Sequence, residues 1–308
     1  MVFGVLTLLL GLLSALMAVV MVGSFALISA GPNPQQVTVG SMLPAIGIYG
    51  GLAVVLVWLG VGSIKARRWA RALLLVFSWS WLIVGVLDVG MMAYILPKVM
   101  GNLPSPGGTG RAAIPAGELT FIIGFTMLFS GFFLIVLPAI WTFFYSSRHV
   151  KLTCEWRDPV VRWTDACPLP VLGLCLWLAV SALSMVGMAA MPYLAAPFFG
   201  MFLSGVAARG IFLLFGGCSL YAAGLLYRLD MRGWWLALGT WVLFMLSSII
   251  TYSQHDILEV YRLMHYPDAQ VAQIQKTGLL DGHTMVWFTP ICTLPLLGYL
   301  FFIRRCLR

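Results

Sequence analysis

The sequence predicts an all-α polytopic membrane protein of about eight transmembrane helices, arranged as two parallel four-helix repeats. Three observations carry this. Of the 308 residues, 61% are hydrophobic and only 9% are charged, against roughly 25% charged in an ordinary soluble domain. Stretches near 20 apolar residues, long enough to cross the hydrocarbon of a bilayer, follow one another along the chain. A set of landmarks in the first half recurs in the same order in the second. The mean hydropathy of +0.98 agrees, since a water-soluble fold this poor in charge would expose an aggregating surface.

Taken in order, the predicted spans are 3–29, 43–64, 69–97, 119–145, 169–190, 210–228, 234–254 and 285–303. The first has no basic residues ahead of it and runs to about Ala30. That exceeds the roughly 7–15 residues of a signal-peptide core, so it reads as a retained helix. Pro168 and Pro170 stand where the fifth helix begins, the place in a helix where proline is tolerated. Pro138 and Pro295 fall inside the fourth and eighth spans, where each removes a helical hydrogen bond and predicts a kink. Gly47 and Gly51 form a GxxxG pair in the second span, a device for close helix approach in lipid.

The basic residues set the predicted orientation. Lys65, Arg67, Arg68 and Arg71 lie between spans two and three, and Arg148, Lys151, Arg157 and Arg162 between four and five. Arg228 and Arg232 separate six and seven, and Arg304, Arg305 and Arg308 end the chain. Only Lys98, Arg111, Arg209, Arg262 and Lys276 fall on the other side. The bias predicts cytoplasmic termini in a bacterial-type inner membrane. Cys154, Cys167 and Cys306 fall on the cytoplasmic side and no cysteine falls in an outer loop, as a reducing interior would have it. The net charge of +8 is therefore membrane topology, and no basic stripe with interleaved aromatics points to nucleic acid.

The repeat is read from paired landmarks. Arg67-Arg68-Trp69 answers to Arg232-Gly233-Trp234, and Gly50-Gly51 to Gly216-Gly217. Leu137-Pro138 answers to Leu294-Pro295, each followed by aromatics and a basic stop, and Leu10-Gly11-Leu12 to Leu172-Gly173-Leu174. Four helices per unit, an even number, give both copies the same orientation. The predicted organisation is residues 1–150 as the first repeat, 151–168 as a cytoplasmic linker and 169–308 as the second repeat.

Among the outer loops, 101–117 is rich in Gly and Pro and reads as irregular. The apolar segment 191–209 reads as a short helix or re-entrant turn at the interface. Helical spacing of Leu258, Tyr261, Leu263 and Met264 predicts that the seventh helix continues about three turns beyond the membrane.

Candidate chemistry is sparse. Asp88 is the one acidic residue well inside a span, where a charge costs about 2.5–3.5 kcal/mol on insertion scales. With Tyr94 and Tyr252 it forms a candidate proton or solute site; a structural hydrogen bond near the outer interface is the plainer alternative. His255 and Glu259 share a helix face at i, i+4, and with His265 and His283 they form a candidate outer metal site. Asp256, Asp268 and Asp281 stand nearby, and no HExxH signature accompanies them. His149 sits beside Arg148 at a basic helix end. Trp156, Arg157, Asp158 and Trp163 in the linker are candidate contacts to a cytoplasmic partner; a linker with interfacial tryptophans is the plainer alternative. No nucleophile motif, glycine fingerprint, CxxC or CxxCH is present, and no cofactor is implied. Three classes of function follow: a small-solute transporter; a non-catalytic subunit or assembly factor of a membrane protein complex; and an outer-face metal-binding protein or membrane enzyme. The partners implied are the lipid bilayer and other membrane proteins.

Overall fold

The computed structural model describes residues 2–30, 39–101, 116–191, 193–264, 266, 271–272, 275 and 282–307. The fold is all-α apart from one short hairpin. In chain order the helices are α1 (Val2–Ala30), α2 (Val39–Ile64), α3 (Arg68–Gly101), α4 (Ala116–Gly131), α5 (Leu137–Ser146), α6 (Arg148–Arg157), α7 (Leu169–Ala189), α8 (Gly205–Tyr227), α9 (Met231–Gln254), α10 (Ile257–Leu263) and α11 (Gly282–Ile303). A π-helical turn, Phe132–Val136, joins α4 to α5. Among the described residues, eight helical stretches are long and apolar enough to cross a membrane. They coincide with the eight predicted spans; the sixth starts earlier than predicted, at Gly205. By length and composition these helices are consistent with an integral membrane protein.

Contacts divide the chain into two compact units, residues 1–79 with 139–169, and residues 80–138 with 170–308. In the first unit α1 and α2 lie backbone against backbone. A Cβ placed on Gly60 would stand 2.8 Å from the Leu8 amide nitrogen, and one on Gly11 would stand 2.8 Å from that of Val57. Among the described residues the predicted GxxxG pair plays no such part: a Cβ on Gly47 or Gly51 would meet none of them within 4 Å. Both helices are apolar all round, so the glycine pattern alone does not mark the face turned to the neighbour.

The second unit holds a core drawn from four helices. Val171, Leu174, Cys175 and Leu178 of α7 meet Ala222, Ala223 and Leu226 of α8, Trp234 and Ala237 of α9, and Leu297, Leu300 and Ile303 of α11. Trp234 is buried at the centre, where its indole N–H donates to the Leu300 carbonyl at 2.7 Å. The Arg304 guanidinium lies 5.2 Å over its ring, a cation–π contact. The Tyr299 hydroxyl donates to the Pro170 carbonyl at 2.9 Å, tying α11 to the start of α7. In the same unit Pro138 has no N–H to offer the Leu134 carbonyl one turn back. The π-helical turn opens there, and Gly85 of α3 packs so closely on that carbonyl that a Cβ would collide with it. Pro290 and Pro295, by contrast, lie within an uninterrupted α11.

The α2–α3 and α8–α9 turns share one geometry. Ala66 (φ 51°) and Leu229 (φ 61°) both adopt the left-handed conformation. The Ala66 amide donates to Ser63 at 2.9 Å and the Arg67 amide to Gly62 at 2.9 Å. The Leu229 amide donates to Leu226 at 2.8 Å and the Asp230 amide to Leu225 at 3.1 Å. Both are Schellman closures, which satisfy the last carbonyls of a helix. The pairs that touch across each turn also correspond: Gly62 against Ala70, and Leu225 against Gly233, with the glycine on opposite helices.

Two further expectations are corrected. Within segment 191–209 the chain forms a β-hairpin, β1 (Ala195–Phe198) antiparallel to β2 (Met201–Ser204), in the register Ala195↔Ser204 to Phe198↔Met201, and α8 begins at Gly205. Its two-residue turn, Phe199-Gly200, has positive φ at both positions (40° and 94°), as the twist of a tight hairpin requires. The seventh predicted helix does not continue through 255–264 as one helix. It stops at Gln254, and Asp256 caps a separate short helix, α10, by accepting from the Leu258 amide. The predicted loop 101–117 lies almost wholly outside the described residues.

Replacing Gly60 with valine is expected to destabilise the protein by about 1–3 kcal/mol, the usual cost of overpacking. Gly51→Val, which meets no neighbour among the described residues, is expected to leave stability unchanged. Thermal unfolding in detergent checks both, and equal effects at the two positions would contradict the α1–α2 packing described above.

Candidate functional site

At the end of α9 far from its basic start, the hairpin is fastened to the helix by its turn. The Phe199 amide donates to Ser247 Oγ at 3.0 Å, and Ser247 Oγ donates to the Pro197 carbonyl at 3.1 Å. The Gly200 amide donates to Thr251 Oγ1 at 3.1 Å. Ser247 and Thr251 are both buried and lie one helical turn apart, so they meet consecutive amides. His255 completes the clamp, with Nε2 3.0 Å from the Gly200 carbonyl and Nδ1 2.8 Å from Glu259 Oε2. The Phe202 ring lies against both Tyr252 and His255, at 5.8 and 5.7 Å between centroids.

The structure therefore brings His255 and Glu259 together, with Tyr252 beside them through Phe202. A metal at His255 would have to displace one of the two contacts that occupy its ring nitrogens. Among the described residues no three His, Cys, Asp or Glu side chains are grouped to hold a metal. His265, Asp268 and Asp281 lie outside the described residues, and His283 begins α11 with its side chain also outside them.

Asp88 and Tyr94 are exposed on α3. Asp88 has no hydrogen bond or ion pair among the described residues, and nothing joins it to Tyr252. At about 1.5 Å per residue it stands roughly 30 Å along the helix from Arg68, close to the thickness of a hydrocarbon core. It lies in the second half of the apolar stretch Arg68–Leu96, eight residues before its end.

The linker is built around ion pairs. Asp158 is 1% exposed and faces Arg67 Nη1 at 3.6 Å and Arg162 Nε at 3.7 Å. Asp165 receives a 3.0 Å hydrogen bond from Arg68 Nε and, through its other oxygen, one of 3.2 Å from the Arg162 amide. Two arginines at the start of α3 thereby latch the segment after α6 through two carboxylates. Of the four predicted partner contacts, Asp158 is the buried anchor, while Trp156 (83% exposed), Arg157 and Trp163 stand at the surface beside exposed Val160 and Val161. Sequence reasoning treated Arg67 and Arg68 as topology signals and missed the latch; the one available signal was two acids in the linker facing a basic cluster. Burial pushes the Cys154 and Cys167 thiols up, the opposite of what an activated nucleophile needs.

Compared with family patterns, curated proteins and solved structures, the chain matches none.

Asp158→Asn is expected to loosen the linker. A fully buried pair that loses one partner costs about 3–5 kcal/mol, but both arginines are partly exposed, so a loss of about 1–2 kcal/mol is expected. Trypsin cleavage after Arg157 and Arg162 should accelerate relative to wild type. An unchanged cleavage rate would show that the carboxylate does not hold the segment.

Proposed function

We propose that this chain is a duplicated multi-pass protein of a bacterial inner membrane, with both termini in the cytoplasm, that serves as a non-catalytic subunit or assembly partner of a membrane protein complex. The observation that carries the reading is the latched linker. Trp156, Val160, Val161 and Trp163 are large apolar side chains outside the spans, exposed on a segment whose shape is fixed by Asp158 and Asp165. Exposed apolar groups held in one arrangement are what a docking surface needs, because little ordering entropy is lost on binding. The duplication is supported by the paired sequence landmarks, close to which each unit ends a helix in a Schellman turn, at Ala66 and at Leu229, and the orientation by the basic residues.

The transport reading has less behind it: the cavity described below, within the first unit, is lined by none of Asp88, Tyr94 and Tyr252. The outer metal reading likewise rests on His255, whose ring nitrogens are both engaged.

Two measurements test the proposal. A Trp156→Ser, Trp163→Ser double variant should fold with wild-type stability but lose its crosslinked membrane-protein partner in native membranes. A wild-type protein that crosslinks to nothing, or a variant that crosslinks as well as wild type, would count against the subunit role. For orientation, a cysteine introduced at Tyr193 should react with an impermeant maleimide in intact spheroplasts and one introduced at Trp156 should not; the reverse pattern would invert the topology.

A further inference from the structure

Within the first unit, a cavity of about 270 Å³ opens where α1 begins, α2 ends, α3 begins, α5 ends and α6 starts. Its polar lining comes from Arg67, Arg71, His149, Ser63, Tyr145 and Thr153, and its apolar wall includes Phe3 and Phe144, whose rings lie 4.1 Å apart. Among the described residues that line it, none is acidic. Asp158 touches Arg67 from outside the cavity, at 3.6 Å. Arg71 is half-buried, and its Nε is spent on the Tyr145 carbonyl at 3.0 Å. That bond fixes the guanidinium plane and leaves the two terminal nitrogens as the donors not used by it. Ser63 and Tyr145 share a 2.8 Å hydrogen bond that holds their hydroxyls in place.

We propose that this cavity binds a phosphate-bearing anion, and that its usual occupant is the head group of an anionic phospholipid. The donor set fits: planar guanidinium groups recognise phosphate oxygens in pairs. The Thr153 hydroxyl donates to the His149 carbonyl, so the further donors are the His149 imidazole and whichever hydroxyl of the Ser63–Tyr145 pair does not donate to the other. The place fits as well. Four spanning segments end at this level, so the cavity lies at head-group depth, where basic pockets between helices take anionic lipids. The volume falls just below the roughly 300–1,000 Å³ of pockets that enclose a whole small molecule. It suits a head group whose acyl chains remain outside along the apolar wall. The proposal is independent of the subunit role, which rests on the linker surface.

The test uses the full chain in phosphatidylcholine nanodiscs with and without phosphatidylglycerol, reading retained lipid by native mass spectrometry. In a second arm, inorganic phosphate is titrated into phosphatidylcholine discs and thermal stability is followed. Phosphatidylglycerol should be retained in preference to phosphatidylcholine. Arg71→Gln should weaken that retention about tenfold, the loss expected for one charge-assisted hydrogen bond. Arg232→Gln, an exposed basic residue outside the cavity, should not. Stabilisation by inorganic phosphate that disappears in Arg71→Gln would assign recognition to the phosphate group whatever its source; no stabilisation by phosphate, with lipid retention intact, would assign it to the lipid. Because Arg71 also braces α5, a His149→Gln, Thr153→Val double variant repeats the measurement at two exposed lining residues. No preference for phosphatidylglycerol together with no effect of phosphate, or equal losses in Arg232→Gln and the cavity variants, would overturn the proposal.

Discussion

Apolar side chains on a helix in lipid gain nothing by exchanging hydrocarbon for hydrocarbon, so the helices of this protein must be held by something other than the hydrophobic effect. Two things do it here. Backbones approach to van der Waals distance at Gly4, Gly11 and Gly60, and at Gly85 against Leu134. A few polar groups with nowhere else to turn are spent between elements: the Trp234 indole on Leu300, the Tyr299 hydroxyl on Pro170, and the Ser247 and Thr251 hydroxyls on the hairpin turn. These contacts position everything else that has chemical interest, because the latch, the cavity and the hairpin clamp all sit at helix ends.

What the sequence conveyed well follows from the bilayer. A spanning helix needs about 20 apolar residues and a polar stop, and both are one-dimensional properties. Residues such as Arg68 and Tyr227 therefore mark span ends that the structure reproduces. Close packing is different. Helices apolar on every face carry no periodic signal, so the GxxxG spacing drew attention to Gly47 and Gly51 while nothing marked Gly60, which makes the close approach. The hairpin was hidden for another reason. Its strands are apolar, Pro197 argues against regular pairing, and its turn places a phenylalanine where Asn or Gly is usual. Gly200 was the single local clue.

The candidate residues divide along the same line. His255 and Glu259 share a helical-spacing relation that was legible, but not the Gly200 carbonyl that engages the other ring nitrogen, because that contact joins distant segments. Asp158 was legible as an acid amid tryptophan and arginine. Its burial was not, since Arg67 belongs to another helix. Arg71 and His149 read as topology and as a helix-end charge; only folding sets them around one cavity with Ser63 and Tyr145.

The π-helical turn at Phe132–Val136 has a consequence for how the two halves can differ. An extra residue accommodated within a helix rotates all that follows by about 100°. The aromatic run from Trp141 to Tyr145 therefore presents another side than an unbroken helix would give it. Trp141 and Tyr145 are buried while Phe143 looks outward. Under the proposed duplication, a one-residue insertion in one copy is enough to give two descendants of the same helix different inward-facing sets, and so to let one half acquire a polar cavity while the other keeps a sealed tryptophan core.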